Sequence, residues 1–188
     1  GMLDHKPNFI DRKKLHYIGI VSGVSKKNVR KDVDTFISIS GPFESRANFE
    51  KKVLEQAPSL PGKVVVALGN PNSKKVKRIG NLVVHSYLNR GQQELMLNRA
   101  KMVVSRSGYT TLMELAEIGQ KAFFIPIPRH FEQEYLAEYQ KRLGNCHYSN
   151  QENFDLAKDL KTAKNYRGLN SRQKTKQSIE KFKQIVLS

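Results

Sequence analysis

Five short apolar runs recur along the chain: TFISIS (Thr35–Ser40), KVVVAL (Lys63–Leu68), NLVVHSY (Asn81–Tyr87), KMVVS (Lys101–Ser105) and KAFFIPI (Lys121–Ile127). They are close to continuously apolar rather than alternating, which is what strands covered on both faces require. Segments of helical period lie between them. SRANFEKKVLEQA (Ser45–Ala57) sets Phe49, Val53, Leu54 and Ala57 on one face, and Pro58 stops it. Gln92–Arg99, Thr110–Ile118 and Phe131–Leu143 predict three more helices, the second with Leu112, Leu115 and Ala116 inward and Gly119 as its C-cap. Two later helices are predicted over Gln151–Thr162 and Ser171–Leu187, capped by Asn150 and Asn170, with a short edge strand over Cys146–Tyr148. Strands alternating with helices mean right-handed crossovers and a mostly parallel sheet. The expected fold is α/β, a Rossmann-like doubly wound domain over residues 35–165. Residues 1–34 are expected to be an arm or linker from a preceding domain. They hold one strand-like piece, LHYIGIVS (Leu15–Ser22), and the charged run KKNVRKDVD (Lys26–Asp34). Residues 166–188 are expected to end in a basic amphipathic helix.

Sheets of this kind bind ligands at the carboxyl ends of their strands. Two glycine turns fall on that edge, Ser40-Gly41-Pro42 and SRSGYTT (Ser105–Thr111). In the second, Gly108 lets backbone approach a ligand, and Ser105, Ser107, Thr110 and Thr111 supply hydroxyls. The helix that follows presents unpaired N–H groups and the positive end of its dipole. Together these make a phosphate cradle. Ser and Thr also begin helices in ordinary capping, so composition leaves both readings open. No GxGxxG and no GxxxxGK[ST] occurs, which excludes the dinucleotide fingerprint and the Walker loop. Glu114, four residues past Thr110, is either a solvated surface carboxylate or an acceptor for two vicinal hydroxyls, as on a ribose.

The stretch VVSRSGYTTLMELAEIGQKAFFIPIPRHFEQEY resembles the signature of the glycosyltransferase family 28 C-terminal domain. That domain is the nucleotide-sugar-binding half of GT-B glycosyltransferases such as the GlcNAc transferase of the lipid II pathway. The pattern falls on Arg106, Ser107, Gly108, Thr111, Glu114, Pro126 and Gln133, within a similarity that runs from about Leu15 to Leu143. The resemblance implies that Glu114 holds the ribose hydroxyls. It implies that Arg106, Ser107, Gly108, Tyr109, Thr110 and Thr111 form the diphosphate loop, with Ser40 and Gly41 as the first glycine loop near the phosphate path. Gln133 would read the donor sugar, with Glu134 beside it. Arg46 is added on charge and position, to neutralise phosphate. His130 either faces the donor pocket or caps the following helix. This chain has Gln133-Glu134 where the lipid II enzyme has a Gln-Gln pair, and one glycine followed by Pro42 where that family has a glycine-rich first loop. An ionised carboxylate accepts but does not donate, so the donor sugar is expected to differ from GlcNAc.

By the same resemblance the substrate is a nucleotide-diphosphate sugar, UDP-linked, and the reaction is inverting transfer of a hexose. No cofactor and no metal is expected. His5, His16, His85 and His147 show no metal spacing, and no HExxH or CxxC occurs. The catalytic base and the acceptor site are expected on an N-terminal half. A two-domain enzyme needs roughly 330 residues at about 150 per domain, and this chain has 188. The missing half is expected either in the same longer chain or as a separate subunit. Gly1 ahead of Met2 reads as a remnant of tag removal.

Two other classes compete. A sugar-nucleotide epimerase shares the architecture but needs catalytic carboxylates and histidines not identified here. A nucleic-acid-binding module is prompted only by a net charge of +16, from 33 basic and 17 acidic residues. The aromatic residues are dispersed through the strands rather than grouped as an RNA-binding motif, so no nucleic-acid partner is expected. The final helix carries Ile179, Phe182, Ile185 and Val186 on one stripe, with Lys181 and Lys183 outside it. Such a helix covers its own sheet, crosses to the other domain or touches an anionic membrane. The single cysteine, Cys146, suits a reducing compartment. No apolar run approaches the ~18–20 residues that span a bilayer. The expected location is cytoplasmic, at most peripheral on the inner face of the membrane.

Overall fold

The computed structural model describes residues 15–187. A seven-stranded sheet runs in the order β3-β4-β2-β1-β5-β6-β7. Its strands are β1 (Val33–Ser38), β2 (Val64–Ala67), β3 (Val76–Ile79), β4 (Leu82–His85), β5 (Ala100–Ser105), β6 (Ala122–Phe124) and β7 (His147–Tyr148). All neighbours pair in parallel except β3 and β4. The helices are α1 (Phe43–Gln56), α2 (Arg90–Arg99), α3 (Tyr109–Ile118), α4 (Phe131–Arg142), α5 (Leu156–Ala163) and α6 (Thr175–Leu187).

The continuous apolar runs have the consequence expected of them. Phe36, Val65 and Val103 point to one face, where they pack with Leu112, Leu115 and Leu136 of α3 and α4. Ile37, Val64, Val66 and Val104 point to the other, against Phe49 and Val53 of α1 and Leu156 of α5. Burial on both faces removes alternation from the sequence, because both neighbours of any strand residue are also inside.

Several elements differ from the sequence reading. The stretch Leu15–Ser22 forms no strand. Ile20 is buried in the core, while Tyr17 and Val21 are exposed. Among the described residues it pairs with no strand, and its backbone is held by side chains instead: Gln173 donates to the Ile18 carbonyl and Lys181 to that of Tyr17. The charged run after it continues onto the protein surface and then into the sheet, since β1 begins at Val33. Along the way Val24 is buried, Ser25 donates to Glu94, and Lys27 N–H donates to Asn98. The basic run Lys74–Arg78 contributes to β3, an edge strand that folds back on β4 through Gly80-Asn81. Helix α5 starts at Leu156 rather than Gln151, because Asp155 and not Asn150 accepts the capping bond, from Lys158 N–H. Helix α6 starts at Thr175, four residues later than expected. Among the described residues no helix is long and apolar enough to cross a membrane.

Candidate functional site

Strands β1 and β5 are neighbours, yet the chain leaves them in opposite directions. From β1 it proceeds to β2 on one side, and from β5 to β6 on the other. A sheet opens a crevice at such a reversal, beyond the carboxyl ends of the two strands. The helices that follow, α1 and α3, both begin there. Neither has a side-chain cap: the cap residues are Pro42 and Gly108. Among the described residues no side chain caps their first-turn N–H groups, and the positive dipole ends of both helices lie at this carboxyl edge. Ser40 and Gly41 line the β1 side and are exposed. Gly41 has φ 116, and a Cβ there would press on Ile127 Cδ1 at 3.1 Å. Only glycine takes that backbone conformation at low cost. On the β5 side Gly108 is half-buried, while Tyr109 and Thr110 are exposed and Thr111 half-buried.

Beneath this loop the polar side chains are spent on structure. Arg106 was expected to contact the donor, but it is only 2% exposed. Its Nη1 donates to the Ile125 and Pro126 carbonyls at 2.9 and 3.0 Å. Nη2 donates to Ser45 O and Gln151 Oε1, and Nε to Ser40 O. The guanidinium lies 4.2 Å from the Phe49 ring centroid. Burial pulls its pKa down to about 10, which leaves it charged at neutral pH. Arg106 thus ties the β1, β5 and β6 loops together from below and does not reach the crevice. Ser107 is likewise fully buried, and its hydroxyl donates to Gln133 O at 2.7 Å.

The remaining expected residues divide. Glu114 is 6% exposed, and its Oε1 is buried without a hydrogen bond. Arg90 Nη1 lies 2.8 Å from that oxygen, but off the N–H axis, so the contact is Coulombic and leaves the lone pairs unused. Gln133 Oε1 accepts from Ile127 N–H at 3.0 Å. Its amide nitrogen faces Gly108, 4.0 Å from where a Cβ would stand. Glu134 does not turn toward the crevice: Oε1 accepts from Arg129 N–H at 2.9 Å and holds that residue at φ 63. His130 caps α4, with Nδ1 accepting from Gln133 N–H. Arg46 Nη1 donates to Gly69 O at 3.0 Å, beyond the end of β2 and one strand away from the crevice. The sequence reading missed Arg90, whose partner is 24 residues away and follows no local pattern.

Cys146, by contrast, has no place in any site. It is fully buried, and burial pushes its thiol up to about 12. Thiolate is the reactive form. Iodoacetamide is therefore expected to leave the folded protein unlabelled and to label it stoichiometrically in urea, as read by intact mass; rapid labelling without denaturant would show an accessible thiol.

Comparison with known proteins bears on this arrangement. Residues 44–187 match the glycosyltransferase family 28 C-terminal domain. No curated protein sequence matches. Among solved structures, the glycotransferase of kitacinnamycin shares 17% identity over 82% of this chain and 41% of its own, with a TM-score of 0.56. MurG of Acinetobacter baumannii shares 15% over 82% and 46%, with a TM-score of 0.53. VinC in complex with DTDP shares 10% over 86% and 40%, with a TM-score of 0.51. At these identities the likeness is one of fold. The chain spans less than half the length of each of these three.

Proposed function

The chain belongs to glycosyltransferase family 28 by its C-terminal domain, and from that premise we propose that it is the donor-binding half of an inverting, metal-independent hexosyltransferase. The donor is a nucleotide-diphosphate sugar, UDP-linked. The observation that carries this reading is the pair of uncapped helix starts at the β1/β5 reversal, beside a buried carboxylate with unused acceptor capacity.

In this reading the first-turn N–H groups of α1 and α3 face the diphosphate. Backbone donors aimed at developing negative charge stabilise a leaving diphosphate without a cation. Thr110, Thr111 and Ser40 supply hydroxyls at the same edge. Glu114 accepts from the vicinal ribose hydroxyls. The amide nitrogen of Gln133 reaches toward the sugar past Gly108. An acceptor hydroxyl attacks the anomeric carbon, the bond from that carbon to the diphosphate oxygen breaks, and the nucleotide leaves with the electron pair. The hydroxyl proton passes to a general base. That base, with the acceptor site, belongs to an N-terminal half, in the same polypeptide or a separate subunit, and the present chain does not turn over without it. The assembled enzyme works in the cytoplasm, against the membrane if its acceptor is lipid-linked. The diphosphates in the VinC structure and in a spinosyn rhamnosyltransferase structure support a nucleotide as the ligand of this half.

Thermal unfolding in the presence of UDP, TDP, GDP, ADP and inorganic diphosphate tests the reading. A nucleotide at one hundred times its dissociation constant adds about 2.7 kcal/mol, a rise in Tm of roughly 5–10 °C for a domain of this size. UDP should give the largest rise. If no nucleotide exceeds inorganic diphosphate, this is not a donor site.

A further inference from the structure

Two arginines stand near the crevice, and they differ in how their donors are used. Arg106 spends its guanidinium on four backbone carbonyls and one side-chain oxygen. Among the described residues the Arg90 side chain makes no hydrogen bond; it is 60% exposed and has its Nη1 2.8 Å from Glu114 Oε1. Its backbone is nonetheless fixed. It is the first residue of α2, and that helix start is locked by a reciprocal cap: Gln92 N–H donates to Asn89 Oδ1, and Asn89 N–H to Gln92 Oε1. Its guanidinium also rests on a bare stretch of backbone. A Cβ on Gly23 would stand 2.5 Å from Arg90 Nη2 and 3.4 Å from Cζ. Gly23 is itself held in place, since Ser22 N–H donates to Thr175 Oγ1 and Val24 is buried in the core. The neighbouring acids have other partners: Glu94 takes Ser25 and Lys27, and Glu117 takes Thr175.

We propose that Arg90, resting on Gly23, is a positioning residue of the donor site that holds the Glu114 carboxylate in place for the two ribose hydroxyls. This rests on the donor-binding reading of the same crevice. A buried carboxylate whose counter-ion approaches off axis is neutralised, yet keeps its lone pairs for another donor. That is the state needed to accept from a diol. With the cation gone, the carboxylate is a buried charge without its counter-ion, and nothing on that side holds it in place for the diol.

The test compares UDP with 2′,3′-dideoxy-UDP by calorimetry on the wild-type chain, Arg90→Met, Arg90→Lys and Gly23→Ala. The wild type should prefer UDP. Arg90→Met should weaken UDP by about tenfold, the scale of one charge-assisted contact, while changing dideoxy-UDP little, so that the preference for ribose collapses. Arg90→Lys should restore part of it. Gly23→Ala should act in the same direction with an unchanged melt, because Gly23 does not sit at positive φ and the new methyl displaces only the end of a flexible side chain. Equal weakening of both ligands, or no weakening in Arg90→Met and Gly23→Ala, overturns the role given to Arg90 while leaving the donor site intact. A wild type that binds UDP no better than inorganic diphosphate overturns the donor site itself, and the role of Arg90 with it.

Discussion

Arg106→Met should lower the stability of this domain by about 3–5 kcal/mol, the cost typical of breaking a buried charged network. Methionine fills much of the same volume and can lie against Phe49, so the loss is not one of packing. It comes from oxygens left behind: the carbonyls of Ser40, Ser45, Ile125 and Pro126 and the amide oxygen of Gln151 all accept from this one side chain. Those atoms belong to the loops after β1 and β6, to the first turn of α1 and to the turn before α5. Urea unfolding should show a lower midpoint at unchanged slope, which separates a true loss of stability from a change in compactness. Nucleotide binding should fall as well, because the loop after β1 is pinned from below by this residue. A midpoint within about 0.5 kcal/mol of wild type would mean that water supplies the missing donors and that the loops hold without the arginine.

Glu114→Ala makes the opposite separation. The carboxylate contributes little to the fold, since one of its oxygens is buried without a hydrogen bond. The unliganded melt should therefore stay close to wild type. Two charge-assisted hydrogen bonds to a ribose are lost, at about 1.5–3 kcal/mol each, which is a loss of UDP affinity on the order of a hundredfold or more. Calorimetry measures the second quantity and a thermal melt the first. A variant that melts far below wild type while still binding UDP would make Glu114 a structural residue, and the ribose site would have to lie elsewhere.

The sequence made some of this visible and hid the rest for physical reasons. Strands β1, β2, β5 and β6 were legible because burial on both faces leaves an unbroken apolar run, and β4, buried on alternate residues, because Leu82, Val83 and Val84 are all apolar. β3 was not, because all four of its residues are exposed and its strand character comes from pairing with β4. The Gly80-Asn81 turn was a signal that the lysines around it obscured. Leu15–Ser22 has the composition of a strand but no edge to join, and strand formation depends on a partner that composition does not reveal. The turn from Ser105 to Glu114 was legible because strand, loop and helix start are consecutive. What each polar residue touches was not. Arg106 reaches residues between 19 and 66 positions away. Gln133 and Glu134 spend their carboxyl or amide oxygens on the loop just before them.

The stretch around residues 17–24 has one more consequence. Its early residues are tied to α6 by Lys181 and to the turn before it by Gln173, with Gly19 packed against Ser178, and Gly23 lies under the guanidinium that faces Glu114. It runs between α6 and the side chain that pairs with Glu114. The segment thus packs against the region of α6 at one end and against the Arg90 guanidinium at the other.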